Sequence, residues 1–87
     1  MKNNYNQDAL LDREKLIEHA KIVLSCKLTQ RELSEEVGVH VRQIGFYRNG
    51  SRPIENAYLE TLIKFEHVYQ TNPLFEKNRN QEAEGTK

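Results

Sequence analysis

Thr29 is followed three residues later by Glu32, and the short stretch they open ends at Gly38. No other feature limits so strongly what the chain can become. The Thr29 hydroxyl can take the backbone N–H of Glu32 while the Glu32 carboxylate reaches back to the N–H of Thr29, a reciprocal cap that starts a helix. A helix over 30–37 follows, with Leu33 and Val37 on one face. Gly38 then ends it, because glycine enters the left-handed backbone region without steric cost. Val39, Ile44 and Tyr47 next recur at helical spacing and predict a further helix over about 40–48, the third of the chain. Asn49-Gly50-Ser51-Arg52-Pro53 is dense in turn residues and closes it. Two short helices with a glycine at their corner share one core and hold the second helix outward.

The rest of the chain supplies that core. Eighty-seven residues make one domain at most, and a chain this short buries only about 60% of its unfolded surface. The expected organisation is an Asn-rich, frayed start over 1–7, a domain over 8–70 and a polar, mostly disordered tail over 71–87. Asp8 or Asp12 can cap a first helix carrying Leu16, Ala20, Val23 and Leu24 through about Cys26. Asn56 is the expected cap of a later helix running to about Tyr69. In it Tyr58, Leu59, Leu62, Ile63, Phe65 and Tyr69 cover an arc of roughly 160° at 100° per residue. Such an arc serves either a core alone or a core and a dimer face. The fold class is therefore all-α: a compact domain of four to five helices with a flexible C-terminal tail.

The formal net charge is zero, but its distribution is uneven. Residues 27–52 carry five basic side chains against three acids, whereas 53–87 carry four against six. From Val39 to Arg52 there are three arginines and no acid. A local basic stripe can meet phosphates even on a neutral protein, although long-range steering is weak. A lone cysteine, Cys26, excludes an intrachain disulfide and fits a reduced, cytoplasmic setting. There is no long apolar run, so neither a membrane span nor a secretory signal is expected. His19, His40 and His67 lack metal-ligand spacing, and no phosphate loop or nucleophile motif occurs. No enzyme, cofactor or metal is expected.

On the third helix, His40, Val41, Arg42, Gln43 and Phe46 face away from the core positions. A projecting helix with Arg and Gln near its start suits the major groove of DNA. The stretch LTQRELSEEVGVHVRQIGFYRNG resembles the Xre family of lambda-repressor-like helix-turn-helix domains. YLETLIKF is similar to that family's fourth helix, and the likeness runs from about Leu16 to Tyr69. The resemblance implies a sequence-specific transcriptional regulator, a repressor of phage or plasmid type, bound as a homodimer to operator DNA. It implies that Gln30 binds a phosphate and braces the third helix, and that Val41, Arg42 and Phe46 read bases. His40 and Gln43 reach backbone or base beside them, and Asn49 and Arg52 contact phosphates.

Several positions depart from the family pattern. Phe46 stands where a polar residue is usual, and His40 replaces the Ser or Thr cap. Gly45 interrupts the third helix, which suggests the close approach of another backbone. Arg48 replaces a common acid, and its usual first-helix counterpart is here Val23, which leaves Arg48 free to meet phosphate. The loop from Ser51 to Glu55 is longer than usual. Zero net charge, an exposed Phe46 and a disordered, acidic tail also suit a second reading, a protein-binding module such as an antitoxin or a phage-encoded inhibitor.

Overall fold

The computed structural model describes residues 12–85, and the expectations for 1–7 and for Asp8 lie outside them. Asp12 caps α1 (Arg13–Leu24) by accepting the Lys15 N–H at 3.2 Å. Leu16, Ala20, Val23 and Leu24 recur on one face of that helix and are buried. The capping box forms as the spacing predicts. Thr29 N donates to Glu32 Oε1 at 2.9 Å, and Glu32 N donates to Thr29 Oγ1 at 3.1 Å. It starts α2 (Gln30–Val37), which ends at Gly38 with φ +84°. The Ser34 hydroxyl donates to Val39 O at 2.6 Å across the corner, and α3 (Val41–Asn49) follows directly. Gly50, also at φ +84°, terminates α3.

The long connection after α3 is pinned rather than loose. Pro53 leads into a 3₁₀ turn, Ile54–Asn56, that buries Ile54, and Ala57 is buried behind it. Arg13 donates to the carbonyls of Glu55 and Ala57 at 3.0 and 2.6 Å. This turn occupies Asn56, so Asn56 does not cap the next helix. That helix, α4 (Leu59–Thr71), begins after Tyr58 without a side-chain cap. Its wide apolar arc divides in two. Leu62, Phe65, Val68 and Tyr69 are buried, mainly against α1, whereas Tyr58, Leu59 and Ile63 are 83%, 40% and 41% exposed.

The segment after Gln70, expected to be mostly disordered, is ordered over the described residues. Asn72 accepts the Leu74 N–H at 2.9 Å and Pro73 opens a 3₁₀ turn, Pro73–Phe75, which leads into α5 (Glu76–Gly85). Polar composition is outweighed here by a few anchors. Phe75 is buried against Tyr69, with ring centroids 5.9 Å apart, a contribution of about 1.5–3 kcal/mol for such a side chain. Arg79 donates to the carbonyls of Tyr69 and Asn72 at 2.6 and 3.1 Å. His19, 4% exposed, stacks on Tyr69 at 3.8 Å and 12°. Its Nδ1 lies 2.8 Å from Glu66 Oε1 and its Nε2 2.9 Å from Glu82 Oε2. One imidazole thus joins α1, α4 and α5.

Candidate nucleic-acid interface

The position of α3 follows from which of its side chains are apolar. Ile44 is wholly buried, and Tyr47 packs edge-on against Phe65 of α4, with centroids 6.2 Å apart at 78°. At 100° per residue, Arg42, Phe46 and Asn49 then fall on the opposite side. Arg42 and Asn49 are exposed and Phe46 is half-buried. Val41 and Gln43 flank this ridge, also half-buried. A shallow depression lined by Gln30, Arg42, Gly45, Phe46, Arg48 and Asn49 runs along it.

Each end of α3 is fixed. At its start, His40 Nδ1 accepts the Arg42 N–H at 3.1 Å and so does the work of the missing hydroxyl. An accepting Nδ1 carries no proton, which leaves Nε2 as the donor of the ring. Gln30 Nε2 donates to Val41 O at 2.8 Å, so Gln30 braces the helix as the family resemblance implies. The same side chain explains Gly45. A Cβ built on Gly45 would lie 2.7 Å from Gln30 Nε2 and 3.0 Å from its Cδ. The glycine therefore makes room for a side chain, not for another backbone.

At the far end, Arg48 departs from expectation. Its guanidinium is turned inward, with Nε 2.7 Å from Leu24 O and Nη2 2.8 Å from Leu28 O and 3.3 Å from Cys26 O. The carbonyls at a helix C-terminus lack partners within the helix and carry partial negative charge, which a cation satisfies well. Arg48 is thus a tie between α3 and both the end of α1 and the turn that follows it, rather than a side chain free for phosphate. With Val23 fully buried, no acid on α1 competes for it.

Arg52 and Gln43 close the other flank. Arg52 Nη1 donates to Gln43 Oε1, and the guanidinium carbon lies 5.5 Å from the centroid of the Phe46 ring. Phe46 is therefore partly covered by a cation rather than left bare. Asn49 Oδ1 accepts the Ser51 N–H at 2.7 Å and shapes the turn. Of the α2 acids, Glu32 is engaged in the capping box and Glu36 accepts from Asn72 Nδ2 at 3.0 Å. The ridge keeps Arg42 and Arg52 without an acid from its own segment.

Gln30, His40, Val41, Arg42, Gln43, Phe46, Asn49 and Arg52 thus lie on α3, its flanks or its closing turn. Arg48 leaves the set, and the partners of Gly45, Arg48 and Gln43 are what residue spacing did not show. Asn72-Pro73, a cap residue before proline, was the available signal for the last helical segment. Among the described residues, no helix is long and apolar enough to cross a membrane.

A family model described as helix-turn-helix matches residues 20–75, well over half of the chain. Neither a curated protein nor a solved structure gave a match.

Proposed function

We propose that this chain, which belongs to the lambda-repressor-like helix-turn-helix family and is thus a DNA-binding regulator, is a sequence-specific repressor of phage or plasmid type. It inserts α3 into the major groove of its operator as a homodimer. The observation that carries this reading is the ridge of Arg42, Phe46 and Asn49 on a helix braced by Gln30 at one end and Arg48 at the other. A reading helix held in place before contact meets the groove without an ordering cost.

Arg42 is exposed near the start of α3, where its guanidinium can bind guanine O6 and N7 in a bidentate way. Val41 is placed for a thymine methyl. Asn49, Arg52 and Gln30 lie at the margins, where phosphates run. The homodimer follows from area, because one such helix buries too little surface for specific affinity alone. Leu59 and Ile63, exposed on α4, are the apolar surface we assign to the second copy.

The protein-binding alternative rests on zero net charge, an exposed Phe46 and a free tail. Arg52 over Phe46 and the packed α5 weaken the last two. Selection of bound sites from random duplex DNA tests the proposal. A two-fold site is expected, and Arg42→Ala should abolish preference for it while retaining weak binding to any duplex. Equal losses on selected and random DNA would count against base reading by Arg42.

A further inference from the structure

We infer that Arg52 decides which base Gln43 reads: it occupies the oxygen of the Gln43 amide, leaves only the amino group for DNA, and so favours guanine over adenine. The inference rests on the DNA-binding reading above. The orientation of the amide follows from chemistry, since a guanidinium has donors only and must face the oxygen rather than the nitrogen. Arg52 is itself held from two other directions. Its backbone N–H donates to Phe46 O at 3.1 Å, and its guanidinium lies over the Phe46 ring. Phe46 thus serves as a shelf that keeps the guanidinium beside Gln43.

An unrestrained glutamine reads adenine with both halves of its amide. The oxygen accepts from N6, and the nitrogen donates to N7. In Gln43 the oxygen is already bound, and its remaining lone pair lies beside a cation that opposes a second positive donor such as the N6 amine. The amino group keeps two hydrogens. Guanine offers two acceptors in the major groove, N7 and O6. Arg52 is accordingly a positioning residue for specificity, acting through Gln43, in addition to any phosphate its other N–H groups meet.

Site selection with the full chain, Gln43→Ala and Arg52→Met tests this. Methionine keeps an unbranched stem at an exposed position and removes every donor. The wild-type site is expected to carry guanine at one position of each half-site, and Gln43→Ala should lose that preference. Arg52→Met should move the position toward adenine by about tenfold, with the bases opposite Arg42 unchanged. Uniform weakening by Arg52→Met with the same selected bases would overturn the inference and leave the DNA-binding reading intact. Failure of the wild-type chain to select any site would instead overturn that reading, and this inference with it.

Discussion

A Cβ on Gly45 would stand 2.7 Å from Gln30 Nε2, the same nitrogen that donates to Val41 O at 2.8 Å. The two residues are one device, in which the glycine makes the space that the glutamine fills. Alanine favours a helix interior over glycine by up to about 1 kcal/mol. In Gly45→Ala that gain is offset by displacement of Gln30, because a neutral hydrogen bond is worth about 1 kcal/mol. Urea unfolding should therefore show little net change, while operator affinity falls several-fold. In a Gln30→Ala background the same substitution should stabilise by up to about 1 kcal/mol. Simple additivity of the two substitutions would argue against the coupling.

Arg48 is expected to behave as a structural residue. Arg48→Met removes a cation bonded to three carbonyls and should cost about 2 kcal/mol in denaturant unfolding. Among molecules that remain folded, the slope of log affinity against log salt should stay at its wild-type value. A slope shallower by about one unit would mean that Arg48 meets a phosphate.

Acid should loosen the C-terminal helix. Burial pushes the Glu82 carboxyl up, but the Tyr69 hydroxyl and the neighbouring His19 outweigh it and hold Glu82 below the usual carboxylate range. A carboxyl with a lowered folded-state value contributes its full stability above its unfolded value and loses it as pH falls through the folded one. Thermal melts from pH 7 to pH 3 should thus show Glu82→Gln less stable at neutral pH. Its curve should be flatter and meet the wild-type curve in acid. Parallel curves would remove Glu82 from the acid response. Tyr69, raised first by its burial and then by the bond to Glu82, stays protonated throughout this range.

The second copy should be lost without loss of fold when Ile63 is changed to Glu, since Ile63 is 41% exposed. Sedimentation should report a monomer, and affinity for a two-fold site should fall on the order of 100-fold as the linked second contact disappears. An unchanged dimer would place the partner elsewhere on the surface.

The frame was legible in the sequence because its signals are local. Thr29 with Glu32, Gly38 and Gly50 act through backbone geometry within a few residues, and Leu33, Val37 and Ile44 are buried where their spacing puts them. What residue spacing does not reveal depends on distant partners. Arg48 turns inward because carbonyls about 20 residues upstream, from Leu24 to Leu28, end up beneath it. The Gly45 gap has meaning only once Gln30 is beside it. The last helix is hidden in the sequence for a different reason. Average composition from 71 onward is polar, but order there depends on Phe75, Arg79 and Glu82. The residues singled out by spacing and resemblance therefore lie on α3, its flanks or its closing turn, and the one side chain turned inward, Arg48, is the one with the most remote contacts.

The braces on α3 also bear on kinetics. If α3 is the reading helix, its ties at Val41 by Gln30 and at Arg48 to the end of α1 should bring it to DNA in its final shape, with no slow rearrangement expected between encounter and complex. With zero net charge, the chain also gains little from long-range attraction. Arrival rates should then be ordinary and much alike from one sequence to another. Discrimination between an operator and the surrounding genome is left to how long each complex lasts.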